Sequence, residues 1–100
     1  MNTPWGPSEP ESETTYAEGI VGVSTASHGG IKVFGPALEQ LSKEARLFGI
    51  RLEGALFYEE DCDWAIVVRE IPDAFDDSPE KVTASLERWN KPYLRLVANQ

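Results

Sequence analysis

The alternation of apolar and polar positions predicts a β-hairpin in the first third of the chain. Residues 20–23 are mostly β-branched and are bounded by glycines, and residues 31–34 resume the alternation. The segment SHGG at 27–30 ends in two glycines, which supply the positive φ that a tight reversal needs. These features predict a hairpin over residues 20–34 with the paired glycines in its turn.

Two segments carry the start and stop signals of α-helices. Pro36 suits the first turn of a helix that Gly49 ends. Ser78 suits the N-cap of a second helix, Pro79 takes its first helical position, and Asn90 ends it. The apolar stripes are Leu38, Leu41, Ala45 and Phe48 in the first helix and Val82, Leu86 and Trp89 in the second.

Three further apolar segments predict strands. Residues 50–58 read as a strand that Gly54 interrupts. The β-branched run WAIVV at 64–68 favours a strand, although the acids before it would also suit the N-terminus of a helix. Residues 93–97 are too apolar to leave in water and predict an edge strand, which would allow a homodimer by pairing with its copy.

Strands mixed with two helices, without a regular strand–helix–strand rhythm, predict an α+β fold. At 100 residues the chain can form one small domain with a single core, and we place that domain at 15–100, with an antiparallel sheet and two helices. Residues 1–14 are acidic and rich in proline, so they predict an irregular arm that Trp5 pins to the body. Trp64 and Trp89 are expected in the core or at its edge.

Composition narrows the cellular setting. No apolar run approaches the roughly 20 residues that span a bilayer, and the N-terminus lacks the pattern of a signal peptide. The single cysteine, Cys62, cannot form an internal disulfide. We therefore expect a cytoplasmic protein with no membrane partner.

Charge is concentrated in the middle of the chain. The net charge is −8, and the segment 53–80 alone holds ten acids against one base, Arg69, a net of −9. Nine scattered bases make a poor surface for phosphates, so direct nucleic-acid binding is not expected. A carboxylate array can instead dock on the basic groove of a nucleic-acid-binding protein.

The densest group of ionisable side chains follows Tyr58, in the stretch YEEDCD. Carboxylates in such a group predict a solvated surface, a partner contact, or a metal or acid–base site, and the spacing leaves all three open. His28 is the one histidine, and histidine is the side chain whose ordinary pKa lies near neutral pH, which suits general acid–base catalysis. Neighbouring carboxylates should raise the pKa of Cys62 and make its thiol a poor nucleophile. The candidate catalytic residues are His28, Glu59, Glu60 and Asp61.

Four segments together resemble an uncharacterised domain family of phage and plasmid proteins: TPWGP (3–7), GIVGVSTASHGGIKV (19–33), YEEDCDWAIV (58–67) and PDAF (72–75). The resemblance covers nearly the whole chain, and the SHGG and YEEDCDWA pieces are distinctive. It implies an origin in a mobile genetic element and a compact domain that carries both motifs, without implying an activity. It also favours a meeting of His28 with the carboxylates in space.

Small acidic proteins of phages and plasmids are often inhibitors of host defence, and this chain looks like that anti-CRISPR or anti-restriction class. The hypothesis is a stoichiometric inhibitor in the host cytoplasm whose acidic segment covers a basic surface of a host defence protein, with Trp64 or Tyr58 as the buried anchor. The predicted partner-binding residues are Tyr58, Glu59, Glu60, Asp61, Asp63, Asp73, Asp76 and Asp77. No cofactor is predicted.

The alternative hypothesis is an enzyme or metal protein that uses His28 with the carboxylates of 59–63. Neutral His28 and ionised carboxylates could hold a divalent ion at neutral pH, or divide acid and base roles. The identity of a metal is left open. This alternative requires the fold to bring His28 to the carboxylates.

Overall fold

A computed structural model of the chain describes residues 1–9 and 12–98. The strands are β1 Asn2–Thr3, β2 Gly6–Pro7, β3 Thr14–Ala17, β4 Ile20–Ser24, β5 Gly29–Val33, β6 Ile50–Leu52 and β7 Ala55–Glu59. The α-helices are α1 Lys43–Arg46, α2 Trp64–Glu70, α3 Pro79–Trp89 and α4 Lys91–Ala98, and 3₁₀ helices occupy Gly35–Gln40 and Pro72–Ala74. The predicted small α+β domain with an antiparallel sheet is confirmed, although the described residues hold four α-helices where two were predicted.

Strands β3 to β7 form one antiparallel sheet in the order β3-β4-β5-β7-β6. The predicted hairpin over 20–34 is confirmed, since Ile20 pairs with Val33 and Ser24 with Gly29. The turn lies at 25–28, where the Thr25 N–H donates to the His28 carbonyl at 2.7 Å. The paired glycines are therefore strand residues, and the prediction that they form the turn is wrong.

The predicted strand over 50–58 is a second hairpin, β6 and β7. Glu53 and Gly54 both have positive φ, at 50° and 79°, so the chain reverses where the sequence shows only an interruption. Glycine takes this conformation without steric strain, whereas Glu53 is the one non-glycine residue among those described that adopts it. Gly54 thus separates two paired strands.

The first predicted helix is broken in the middle. Its N-terminal half is the 3₁₀ helix Gly35–Gln40, and α1 is a separate single turn. The break is at Ser42, whose N–H donates to Glu70 Oε1 at 2.6 Å and whose Oγ accepts from the Ala45 N–H at 3.0 Å. Ser42 therefore caps a new helix, because a distant carboxylate takes the N–H that a continuous helix would use.

The second predicted helix is confirmed as α3. Ser78 Oγ accepts from the Lys81 N–H at 3.2 Å, and Pro79 occupies the first helical position. Val82 and Leu86 are buried, but Trp89 is 52% exposed. The expectation that Trp89 lies in the core or at its edge is therefore wrong.

The WAIVV segment is helix α2, so the prediction of a strand is wrong. Its residues 65–68 are all buried, and α2 contacts β5, β7, α1 and α3. A helix that is surrounded by other elements is apolar on every side, which gives the same unbroken apolar run as a buried strand. Packing on all sides outweighs the strand preference of its β-branched residues.

The tail is helix α4, so the predicted edge strand at 93–97 is also wrong. Tyr93 is fully buried and contacts Phe48 edge to face, with the ring centroids 5.9 Å apart. Leu94 and Val97 also pack against the core, whereas Leu96 is 40% exposed. The homodimer that was predicted to form by pairing of this edge has no strand to use.

Side chains pack on both faces of the sheet. The main core lies between the sheet and the helices and includes Ile31, Tyr58 and Ile66. A smaller core on the opposite face contains Val23 and Phe57. Among the described residues, no helix is long and apolar enough to cross a membrane.

The N-terminal segment covers this smaller core. Strands β1 and β2 pair as a short hairpin, and the Trp5 ring meets the Phe57 ring edge to face with centroids 6.0 Å apart. Trp5 pins the segment to the body as expected, but residues 2–7 are regular where an irregular arm was predicted. Positions 10 and 11 of that predicted arm lie outside the described residues.

Candidate functional site

A cleft of about 360 Å³ opens on the helix-covered side of the sheet. The segment 59–63, where β7 leads into α2, is called the acidic junction. Glu60 of the acidic junction and Trp64, the first residue of α2, both border the cleft. Asp77 and Lys81 border it from the N-terminal end of α3. The cleft therefore brings together two parts of the acidic segment that are 17 residues apart in sequence.

Two glycines leave room for the side chains of the cleft. A Cβ atom on Gly22 would lie 3.0 Å from the Tyr16 ring, and one on Gly29 would lie 2.7 Å from Glu60 Oε2. Successive strand residues face opposite sides of a sheet, so Gly30 faces away from these two, toward Trp5. The SHGG motif thus has a packing role on each face of the sheet.

The cleft contains three aromatic rings. Tyr16 and Phe75 contact each other with centroids 4.8 Å apart, and Trp64 is half-buried. The Lys81 Nζ lies 5.4 Å from the centroid of the Trp64 ring and 3.5 Å from Asp77 Oδ1. One cation of the chain itself therefore occupies the space between an aromatic face and a carboxylate.

The acidic junction contains residues in different environments. Glu60 and Asp61 are exposed, whereas Glu59 and Asp63 are half-buried. Burial raises the pKa of the Asp63 carboxyl, a hydrogen bond from Cys62 lowers it, and the Glu59 carboxylate raises it. Glu60 and Asp61 are consequently the two carboxylates of the junction that are open to a partner.

Cys62 is a free, half-buried thiol whose environment disfavours the thiolate. Burial, and then the carboxylates of Asp63 and Glu59, raise the pKa of the thiol to about 11. The Sγ donates to Glu59 Oε2 at 3.8 Å, and the Cys62 carbonyl accepts from the Asn90 side chain at 2.6 Å. The neighbouring carboxylates act as predicted, but burial is the larger cause.

Tyr58 belongs to the core. The side chain is fully buried, and its hydroxyl donates to the Ala45 carbonyl at 2.8 Å. Burial is also the main cause that raises the pKa of this phenol. The prediction that Tyr58 contacts a partner is therefore wrong, and Trp64 is the anchor candidate that lies at the surface.

The acidic segment 53–80 is not one surface. Glu53 lies in the β6–β7 turn, at the end of β7 opposite the acidic junction. The Glu70 side chain is only 8% exposed and accepts hydrogen bonds from the Ser42 N–H and the Tyr93 hydroxyl. Asp73 and Asp76 are exposed but do not line the cleft, whereas Asp77 does.

His28 is not brought into a catalytic arrangement. Its ring is exposed, with Nδ1 2.7 Å from the Ser27 carbonyl. The main chains are close, because the Glu60 N–H donates to the Gly29 carbonyl at 2.9 Å. Within residues 1–9 and 12–98, however, no carboxylate pairs with the His28 ring, and no group of three His, Cys, Asp or Glu side chains is placed to hold a metal ion.

Comparison with known proteins assigns the chain to a protein family. A family model described as a domain of unknown function, DUF7007, matches residues 1–98. The chain belongs to this family. The matched range includes the SHGG and YEEDCDWA segments of this chain and the N-terminal hairpin. No curated protein and no solved structure matches the chain.

Among the lining residues of the cleft in this DUF7007 domain that were not predicted as site residues, three have aromatic or charged side chains: Tyr16, Phe75 and Lys81. Phe75 lies between acids in PDAFDD, so its place in the acidic segment was the one available signal. Tyr16 follows a polar run at the start of a strand, and Lys81 lies on the polar side of a helix. Neither position has a sequence pattern that distinguishes it from an ordinary surface residue.

Proposed function

We propose that this chain is a stoichiometric binding module that covers a basic, nucleic-acid-binding surface of another protein. The observation that carries the proposal is the convergence of Glu60, Asp77 and Trp64 on one cleft. Carboxylates supply long-range attraction to a basic surface, and a half-buried aromatic ring supplies the contact area that rim charges lack. Exposed Asp61 extends the negative surface beside the cleft.

In its more specific form, the partner is a host defence protein and the chain acts in the cytoplasm of the host as an anti-CRISPR-like or anti-restriction inhibitor. This form is supported by the net charge of −8 on 100 residues and by the resemblance to phage and plasmid proteins. A partner that binds nucleic acid through Lys and Arg would lose that surface to a competing array of carboxylates. The alternative hypothesis depends on a contact between His28 and a carboxylate of 59–63, and the part of the chain that the structure describes shows no such ion pair.

The test uses a charge reversal of the exposed acids at the junction, Glu60→Lys with Asp61→Lys. The matched control is Glu39→Lys with Glu87→Lys, which makes the same charge change at two exposed positions that do not line the cleft. Immobilised wild-type chain and both variants capture proteins from a bacterial lysate. Each captured protein is then assayed for release of labelled DNA or RNA as free chain is added.

The expected result is release of nucleic acid that saturates at one chain per binding site. The junction variant should lose at least about tenfold in apparent affinity, because close charge pairs across an interface are strongly coupled, and the control variant should change little. An equal loss of apparent affinity in both variants would mean that binding depends on the net charge of the chain and not on the cleft. Equal capture by wild type and the junction variant would refute the proposal.

A further inference from the structure

We propose that the cleft binds the side chain of an arginine presented by the partner, and that Lys81 occupies the same position in the free protein. This inference rests on the proposed function and names the chemistry of its contact. The carrying observation is the position of Lys81 Nζ, 5.4 Å from the Trp64 ring centroid and 3.5 Å from Asp77 Oδ1. An aromatic face and a carboxylate already receive a cation there.

The cation of the chain itself is weakly held. The Lys81 side chain is 66% exposed, and an exposed ion pair contributes little to stability because water screens it. Lys81 can therefore leave at little expense in free energy. A cation from a partner makes the same two contacts, with the Trp64 ring and the Asp77 carboxylate, and can also reach the Glu60 carboxylate, which borders the cleft.

The walls of the cleft favour arginine. A guanidinium group is planar and stacks on aromatic rings, and it can bind two carboxylate oxygens at once. Tyr16, Phe75 and Trp64 supply the rings, and Glu60 and Asp77 supply the carboxylates. The volume, about 360 Å³, is at the lower end for ligand pockets, which suits one long side chain.

The experiment follows the three indole N–H resonances of the full-length chain by NMR, assigned with single Trp→Phe variants. The probe is the peptide Gly-Arg-Gly amide, and the matched probe carries citrulline, a neutral isostere, in place of arginine. Trp5 packs on the other face of the sheet and Trp89 lies beside Arg88 on α3, so both serve as internal references.

The arginine peptide should shift the Trp64 resonance in a saturable way and leave the Trp5 and Trp89 resonances in place. The citrulline peptide should not, and Glu60→Gln with Asp77→Asn should weaken binding about tenfold. An equal response to the citrulline peptide would overturn the inference. So would an equal response of all three indoles to the arginine peptide.

A second variant makes binding stronger, which a general loss of structure cannot imitate. Lys81→Met removes the internal cation but keeps an unbranched stem, and it should tighten binding of the arginine peptide about threefold because no competitor must leave. The control is Lys32→Met, which removes a lysine 4.9 Å from the Phe34 ring on the other face of the sheet. Equal effects of the two variants would overturn the role of Lys81.

The two proposals can fail separately. If charge reversal at Glu60 and Asp61 abolishes release of nucleic acid but the Trp64 resonance ignores arginine, the binding module stands and the arginine cleft is wrong. If the Trp64 resonance responds as described but charge reversal leaves release unchanged, the cleft binds arginine and the proposed function is wrong.

Discussion

Glu60 lies in the turn that precedes helix α2, and Glu70 is the last residue of that helix. Both belong to the same acidic segment, yet their surroundings differ. Glu60 is exposed at the cleft. Glu70 is 8% exposed and accepts one hydrogen bond on each oxygen, from the Ser42 N–H and from the Tyr93 hydroxyl. A charge that is counted along the sequence is therefore not the charge that a partner meets.

The difference also assigns the two residues to different tasks. Glu70 connects the start of α1, the end of α2 and the tail helix α4, and Arg69 completes the group by donating to the Tyr93 hydroxyl at 2.8 Å. These contacts fix the arrangement of the helices on the sheet. Glu60 is an exposed residue that lines the cleft, so we expect its removal to alter binding without destabilising the fold.

The largest expected effect is that of Glu70→Ala. It leaves the Ser42 N–H and the Tyr93 hydroxyl without their acceptor in a buried site, and we expect a loss of about 3 kcal/mol in the free energy of unfolding. The matched change Glu60→Ala should alter that free energy by no more than about 0.5 kcal/mol. Urea unfolding followed by circular dichroism measures both, and similar losses would erase the distinction.

The next effect compares two adjacent glycines. A Cβ on Gly30 would lie 2.4 Å from the Tyr58 carbonyl oxygen and 2.4 Å from the Trp5 ring, so Gly30→Ala should cost about 3 kcal/mol. Gly29→Ala meets only the end of the flexible Glu60 side chain, at 2.7 Å, and should cost about 1 kcal/mol or less. Thermal melts of the two variants test the order, and a reversed order would contradict the packing described here.

Asp63 is half-buried, and is thus intermediate in exposure between Glu60 and Glu70. Its replacement is expected to stabilise the fold, whereas the replacement of Glu70 is expected to destabilise it. Burial raises the pKa of its carboxyl in the folded chain, so the ionised form opposes folding at neutral pH and ceases to do so as pH falls through that pKa. Asp63→Asn should therefore stabilise the fold at pH 7 by about 0.5 kcal/mol or less. The gain should shrink as the pH falls below the raised pKa, and a gain independent of pH would disprove the electrostatic cause.

The smallest effect concerns Cys62 and its neighbour Glu59. Because the pKa of the thiol is raised to about 11, alkylation by iodoacetamide at pH 8 should be slow in the folded chain and should accelerate as the pH rises toward that value. Glu59→Gln removes one cause of the raised pKa and should speed alkylation about twofold. Mass spectrometry follows the reaction, with the urea-unfolded chains as reference, and an unchanged or slower rate would count against this role of Glu59.

Local signals were sufficient for some elements. The hairpin over 20–34 has alternating apolar positions, and α3 has a serine cap followed by proline, so each was found from a few neighbouring residues. Helix α2 was misassigned because its residues 65–68 are all buried, so its identity depends on what surrounds it. Helix α4 was misassigned as well, although Tyr93 is the one residue of it that is buried. An apolar run that is buried on every side has no period by which a helix and a strand can be told apart.

The candidate site was predictable in part. The acids at the junction and Trp64 were identified from the sequence, and Glu60, Asp77 and Trp64 do meet at the cleft. Tyr58 could not be separated from them, because its burial depends on strand register and not on its neighbours in sequence. The burial of Glu70 has the same origin, since its partners Ser42 and Tyr93 are 28 and 23 residues away.

The adjacent glycines of SHGG have a mechanical consequence. Gly29 faces Glu60 on one side of the sheet, and Gly30 faces Trp5 on the other side. Because neither glycine has a side chain, only the strand backbone separates Glu60 from Trp5 at this point. A shift of the N-terminal hairpin is passed directly to the floor of the cleft, because no side chain lies between them to absorb it. The N-terminal hairpin thus packs on the sheet directly behind the cleft, and we expect the shape of the cleft to depend on how firmly Trp5 is packed.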